Sequence, residues 1–308
     1  MEEKTTFSKV AELWKADKKQ YVKKSTYAAY SLLIYNHLVP DLGKKTDIQE
    51  KDVQGLVNRK LDSGLSQKTV KDILVVLKMI LRFGAKYGHL EFHQIDVTFP
   101  TEREKQDIEV LSVANQKKLM NYCQDNFTFL NLGILVCLNA GLRIGEVCAL
   151  KWEDFDVAAG VIKVSKTIQR IYMVDGDKKS TELIVDSPKT KNSNREIPMT
   201  KELLSIVKPL KKVVRSDFYV LTNTANPTEP RTYRVYFNHL LQEVGLSRMR
   251  FHGLRHSFAT RCIESKCDYK TVSVLLGHSN ISTTLNLYVH PNMEQKKKCV
   301  EMMSRTLR

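Results

Sequence analysis

Apolar positions in residues 6–90 fall into four runs at helical spacing, each closed by polar or turn-forming residues. TFSKVAELWKADKKQYV predicts a first helix, and STYAAYSLLIYNHL a second, with Ser25 as its N-cap and Pro40 close behind its end. TDIQEKDVQGLVNRKLDSG predicts a third, opened by a Thr46…Gln49 capping-box pattern and stopped near Gly64. SQKTVKDILVVLKMILRFGAKYG predicts the longest, with apolar residues at 73, 74, 77, 80, 81 and 83. Four such helices pack naturally as a small bundle. Residues 91–110 lose the periodicity and turn polar around Pro100. This predicts a linker at 96–107, between a first domain at 1–95 and a second at 108–308. Helical patterns cover 112–125 and 127–149. Within the latter, LNLGILVCLNAGL (130–142) reads as a buried helix, too short for a bilayer and carrying Asn131 and Asn139. Alternation through GVIKVSKTIQRIYMVDGDKKSTELIVDSPKTKNSNREIPM predicts a small antiparallel sheet, turning at Asp175-Gly176 and after Pro188. Helices resume at about 200–214, 231–244, 253–265, 268–276, 282–287 and 293–306. The class is mainly α with one small antiparallel β-sheet.

Charge narrows the field of partners. The 308 residues hold 49 Lys+Arg against 34 Asp+Glu, a net charge of +15. Residues 1–107 carry 19 basic and 15 acidic side chains, leaving 30 and 19 for the remainder. Such an excess favours a polyanion, nucleic acid first and an anionic membrane second. No signal peptide opens the chain, which starts MEEKTTFSK, so a cytoplasmic protein is expected. The cysteines at 123, 137, 148, 262, 267 and 299 form no CxxC pair. Zinc-ribbon and disulfide frameworks therefore fail on spacing, and free buried thiols are expected.

Four separated pieces carry chemistry. NAGLRIGEVCALKWEDFD (139–156) places Arg143 just after an apolar helix, between Gly141 and Gly145. SPKTKNSNREIPM (187–199) is a lysine-bearing hairpin. HGLRHSFATR (252–261) gathers His252, Arg255 and His256 at a helix start. LLGHSNISTTLNLYVH (275–290) sets His278 after a glycine and Tyr288 ten residues on. Singly, each has a bland account: an Arg143–Glu146 ion pair, a solvated turn, helix-terminal groups bonding backbone, an amphipathic tyrosine. Together they supply arginines, a lysine, histidines and a phenol without paired carboxylates. That donor set suits one anion, and a phosphodiester fits. Its nonbridging oxygens gain charge as phosphorus becomes five-coordinate, and bidentate guanidinium forks match them. A phenol can attack phosphorus and form a covalent phosphotyrosine.

The R-x-x-E of GLRIGE, the H-x-x-R-H of HGLRH and the LLGHSNISTTLNLYVH ending resemble the tyrosine recombinases, or phage-type integrases. The likeness spans about 110–295, and the upstream bundle resembles the family's SAM-like core-binding domain. It implies a site-specific recombinase that cleaves and rejoins DNA through a 3′-phosphotyrosine, for integration or excision of a mobile element. Arg143 and Arg255 would clamp the scissile phosphate, and Tyr288 would attack it. Lys189 would protonate the 5′ leaving oxygen, with Lys191 and Lys166 as alternatives. His252 would assist proton transfer, His278 would hydrogen-bond the phosphate, and Glu146 would support Arg143 from behind. His256 is expected to be structural. The resemblance implies no metal, ATP or other cofactor, since the ester energy is kept in the covalent link.

The implied partner is double-stranded DNA with specific recombination sites, clamped by two basic domains. Phosphate contacts are expected from Lys18, Lys19, Lys23 and Lys24, and base contacts near Arg231, Thr232, Tyr233 and Arg234. The family further implies a homotetramer on synapsed DNA, a monomer off it, and accessory proteins that bend DNA or set direction. The tail PNMEQKKKCVEMMSRTLR carries Met293, Val300, Met303 and Leu307 at helical spacing, a helix that could pack on its own domain or, as the family implies, dock on a neighbouring protomer. The first helix starts within about ten residues of Met1, so no N-terminal arm-binding domain is expected. Three rivals stand beside this reading. A type IB topoisomerase uses similar chemistry without the integrase-like LLGH…Tyr spacing. A DNA-binding regulator with a dead site would lack a member of the set. A histidine metallohydrolase would need acidic or cysteine ligands near its histidines.

Overall fold

The computed structural model describes residues 5–101, 108–175, 178–187, 194–288 and 293–306. The chain divides into two units, Met1–Lys105 with Arg170–Glu182, and Gln106–Gln169 with Leu183–Arg308.

The first unit is helical: α1 (Phe7–Lys18), α2 (Lys24–Leu33), a π-helical turn (Ile34–Leu38), α3 (Val39–Leu42), α4 (Glu50–Asp62) and α5 (Gln67–Lys86). Its core gathers Phe7, Val10, Trp14, Ile34, Leu38, Leu56, Ile73 and Leu77. α5 starts as the sequence predicts, with the Ser66 hydroxyl accepting from the Thr69 N–H at 3.2 Å. Two caps fall elsewhere than expected. α2 starts at Lys24, ahead of Ser25, and α4 is opened by Gln49, whose N–H donates to Asp52 at 3.1 Å, not by Thr46. Pro40 does not end its helix. Proline's missing N–H is tolerated in the first turn of α3, and the widened π turn before it carries the backbone through.

The expected linker is not free over its first half. Ile95, Val97 and Phe99 pack on the bundle. Thr98 N–H donates to Gln54 Oε1 (2.9 Å), Asp96 N–H to Glu50 (2.9 Å), and the Gln67 amide to Pro100 O (2.8 Å). An alternating apolar strip among polar neighbours is what holds it there. Residues 102–107 lie outside the described residues.

The second unit runs α6 (Val113–Asp125), α7 (Phe129–Ala140), α8 (Ile144–Ala149), a 3-10 turn (Trp152–Asp154), strands β1 (Phe155–Asp156), β2 (Val161–Val164), β3 (Thr167–Asp175), β4 (Lys178–Asp186) and β5 (Arg195–Pro198). Then come α9 (Lys201–Leu210), α10 (Pro230–Glu243), α11 (His252–Glu264), α12 (Tyr269–Leu276), α13 (Ile281–Tyr288) and α14 (Met293–Thr306). The expected single sheet is two. β1, β2 and β5 form an antiparallel sheet with Ile162 facing both Phe155 and Ile197, while β3 and β4 pair apart from it. Part of that hairpin, 170–182, belongs with the first unit.

α7 is buried nearly all round, as its uniform apolarity predicts. Its buried polar residue, Asn131, is satisfied by Asn126 O (2.7 Å) and the Tyr236 hydroxyl (2.6 Å), while the half-buried Asn139 donates to Leu135 O (2.8 Å). The helical pattern over 127–149 breaks in the middle. Gly141 takes the left-handed region at φ +63°, where a Cβ would lie 2.5 Å from Phe258 Cδ1. The break frees Arg143 from the helix body. Cys123, Cys137 and Cys148 are buried as expected, but Cys262 is half-buried and Cys267 exposed. Among the described residues, no helix is long and apolar enough to cross a membrane.

Candidate active site

The break after α7 places Arg143 in an extended conformation immediately before α8. Its backbone N–H donates to Glu146 Oε2 (2.9 Å) and its guanidinium Nη1 to Glu146 Oε1 (2.8 Å). Gly145 permits this turn to press against the start of β3: a Cβ there would meet Ile168 O at 2.6 Å. Arg255 enters from α11 and is 1 % exposed. Burying a guanidinium demands acceptors. Gly141 O takes Nη1 at 2.9 Å and Leu276 O takes Nη2 at 2.7 Å.

The C-terminal end of α12 organises the site. A helix leaves its last carbonyls without intrahelical donors and carries partial negative charge there. Here three consecutive carbonyls receive three arginines from distant segments. Leu275 O accepts from Arg195 Nε (2.6 Å), Leu276 O from Arg255 Nη2 (2.7 Å), and Gly277 O from Arg143 Nη2 (3.2 Å). Gly277 ends the helix in the left-handed region, and His278 follows at once. His278 Nδ1 meets the buried Thr284 hydroxyl at 2.8 Å, which leaves Nε2 for a ligand.

Electrostatics follow from this crowding. Burial would raise the Glu146 carboxyl, but the hydrogen bonds and charge of Arg195, then Arg143, outweigh it and bring its pKa down to about 2. Burial, then Arg255, Arg143, His252 and Arg195, lower His278 to about 4. For His252, desolvation comes first, then His256, Arg255 and Arg143, lowering it to about 4. Its ring is open to solvent, so screening softens that shift and the downward direction is what matters. Both imidazoles are therefore neutral at pH 7, able to donate or accept one proton each, among cations that stay charged. The His252 and His256 rings stand edge to face at 4.6 Å.

Arg143, Glu146, His252, Arg255 and His278 are thus brought together. Tyr288 is the last residue of α13, which packs on α11 and α12; only its backbone is described. Lys189 and its alternative Lys191 lie outside the described residues. Lys166 pairs with Glu153 at 3.4 Å on the surface. Among the surface candidates, Lys19 is exposed, Lys18 lies 3.6 Å from Asp17, Lys23 is the N-cap residue just before α2, and Lys24 lies 2.5 Å from Glu182. Arg231 and Arg234 are exposed on α10, but Tyr233 is not available for reading bases. It is wholly buried, its hydroxyl donating to Leu130 O at 2.8 Å, because α10 turns that face to the core.

Sequence reasoning missed Arg195, Thr284 and a basic cleft. Arg195 grips both Glu146 oxygens, Nη1 to Oε1 at 3.1 Å and Nη2 to Oε2 at 2.9 Å. The cleft, about 680 Å³, opens beside His252 and is lined by Arg234, Asn238, Arg248 and Arg250 among others. Its signal was present, since Arg248 and Arg250 immediately precede the HGLRH motif.

Comparison with known proteins agrees with this geometry. Residues 109–295 match the phage integrase family, and residues 6–61 the phage integrase N-terminal SAM-like domain. A tyrosine recombinase XerC-like protein of Caldanaerobacter subterraneus subsp. tengcongensis is 28% identical over 83% of this chain and 71% of its own. The ICEBs1 integrase of Bacillus subtilis is 25% identical over 89% of this chain and 76% of its own. Among solved structures, a Tn1549 transposon integrase fragment in complex with transposon right end DNA superposes with a TM-score of 0.79, at 22% identity, over 97% of this chain and 100% of that one. A lambda integrase tetramer bound to a Holliday junction gives 0.65 at 18% identity, over 95% and 80%. The match over residues 109–295, which contains the whole arginine–histidine constellation, shows that this chain belongs to the phage integrase family, the tyrosine recombinases.

Proposed function

We propose that the protein is a site-specific DNA recombinase that cleaves one strand through Tyr288, leaves a 3′-phosphotyrosine, and rejoins the strands of a mobile element. The observation that carries this reading is the anchoring of Arg143 and Arg255 on successive carbonyls, 277 and 276. Guanidinium groups fixed there can share one phosphate. As Tyr288 Oη attacks phosphorus, its proton passes to a base, for which neutral His252 is the candidate. The bond to the 5′ oxygen breaks, and Lys189 returns a proton to that leaving oxygen. His278 Nε2 hydrogen-bonds a nonbridging oxygen. A free phenol ionises near ~10, so the cationic surroundings must favour phenolate in the transition state. Fixed donors of this kind are each worth on the order of 10²–10³ in rate. The arginines supply the positive charge, and the phosphotyrosine ester retains the energy for rejoining, so neither metal nor ATP is required.

Exposed lysines around the α1–α2 turn and the cleft beside His252 would hold DNA phosphates. The solved relatives bound to transposon DNA and a Holliday junction support DNA as the partner and a tetramer as the working assembly. Cytoplasm is the compartment such a substrate implies. α14 exposes Met293, Val300 and Met303, an apolar strip suited to docking on a neighbouring protomer; Leu307 lies outside the described residues.

The test is a nicked suicide duplex carrying a site that the protein enriches from a random duplex pool, with chelator present and nucleotide absent. A covalent protein–DNA adduct that vanishes in Tyr288→Phe supports the reading. Adduct formation surviving Tyr288→Phe overturns the nucleophile. Relaxation of plasmids lacking the site, without recombination between sites, would instead favour a topoisomerase.

A further inference from the structure

The strongest unassigned group is Arg195. Its side chain is 3 % exposed, so it does not reach DNA. It is the first residue of β5, just after the lysine-bearing segment 188–193 in sequence. From there its guanidinium donates twice to Glu146 and once to Leu275 O among the described residues. Glu146 Oε1 is shared, accepting from Arg195 Nη1 on one side and Arg143 Nη1 on the other. Arg143 is 37 % exposed and Glu146 3 %. The order is therefore a buried arginine, a buried carboxylate, and a half-open arginine facing solvent.

We propose that Arg195 is a positioning residue for strand cleavage: it holds Glu146 in place, and through Glu146 it aims the Arg143 guanidinium at the scissile phosphate. The role rests on the recombinase reading above. A carboxylate buried to this degree is stable only beside a cation held bidentately. Arg143 alone offers it one side-chain hydrogen bond and cannot both face the phosphate and neutralise the carboxylate fully. Arg195 removes that conflict. Among the described residues, His252 from α11 and the Cys137 thiol from α7 also act on Glu146, and neither is a cation at neutral pH. Lysine is no equal substitute, since an ammonium lacks the planar fork that spans both carboxylate oxygens and the Leu275 carbonyl.

Loss of Arg195 should leave burial unopposed on that side and let Glu146 take up a proton at higher pH than in the wild type. A protonated Glu146 no longer orients Arg143 by charge. Cleavage should then acquire an acid limb.

Single-turnover adduct formation on the nicked duplex, measured from about pH 5.5 to 8.5 for wild type, Arg195→Met, Arg195→Lys and Arg195→Met/Glu146→Gln, tests this, with DNA binding and thermal melting followed in parallel. Arg195→Met should cleave at least about tenfold more slowly at pH 7.5, with binding within about twofold of wild type. Its rate should fall more steeply than wild type toward pH 5.5, and Glu146→Gln in that background should remove the extra fall. Arg195→Lys should lie between. Wild-type rate and profile in Arg195→Met overturn the proposal, as does a loss equal at every pH, which marks a purely structural role. If Arg195→Met does not fold, Arg195→Lys decides: slower cleavage with an acid limb supports the role, and wild-type behaviour overturns it. Failure of the wild type itself to form an adduct overturns the recombinase reading and this role with it, a result visible before any Arg195 variant is used.

Discussion

Arg143 and Arg255 share a chemistry and differ in burial, and that difference separates their mutants. Arg143 is 37 % exposed and spends part of its donors on Glu146 and Gly277 O. Arg143→Ala should cut cleavage by on the order of 10²–10³ with little change in melting temperature. Arg255 is buried against two carbonyls. Arg255→Ala should cost comparable activity and also about 2–4 kcal/mol of stability, because Gly141 O and Leu276 O lose their donors. Parallel adduct and melting measurements on the two variants check the contrast; equal stability loss would contradict it. Glu146 gives a second residue-scale prediction. Its folded pKa of about 2 lies below the ordinary value of 4.5, so its contribution to stability is full above pH 4.5 and drains away as pH falls toward 2. That shift corresponds to on the order of 3 kcal/mol. Denaturant titrations of wild type and Glu146→Gln should therefore differ most at neutral pH and converge near pH 2. The gathering of Arg143, Glu146, His252, Arg255 and His278 was legible because their types and spacing suit one shared anion. Arg195 was not, since a lone arginine in a polar run reads as solvent-facing until the fold reveals that β5 alternates inward at that position.

At the scale of elements, the site depends on one interruption. The apolar run through 149 reads as a continuous helix, yet Gly141 breaks it and swings Arg143 out. Gly141→Ala combines a φ of +63° with a 2.5 Å clash on Phe258. It should destabilise by about 1–3 kcal/mol and slow cleavage more than it weakens DNA binding. Unchanged melting and cleavage would contradict this account of the break. Helix existence was readable from periodicity throughout, while ends were not. Pro40 sits inside a helical path because a π turn precedes it, and the 95–99 strip packs although its surroundings are polar. Both outcomes depend on tertiary contacts that single-residue signals do not encode.

For the whole molecule, the net charge of +15 predicts how the proposed DNA partner would be approached. Because that contact is mostly phosphate neutralisation, affinity should fall by about 10³ or more between 50 and 200 mM salt, read by mobility shift. A flat salt response would contradict a phosphate-dominated interface. The exposed apolar strip of α14 predicts that deleting 292–308 weakens synapsis more than single-site binding; equal loss of both would count against a docking helix. Two-domain organisation and the basic excess were visible in the chain itself, but membership of 170–182 in the first unit was not, because a hairpin's partners lie far away in sequence. The central claim is that distant cations converge on one phosphorus within reach of a phenol. The most direct measurement is mass spectrometry of the nuclease-trimmed covalent adduct trapped on the nicked duplex. The account predicts a nucleotide linked through its 3′ phosphate to Tyr288, with none recovered from Tyr288→Phe and far less from Arg143→Ala in the time that wild type reacts. Linkage to another residue, or adduct yield unchanged in Arg143→Ala, would contradict it.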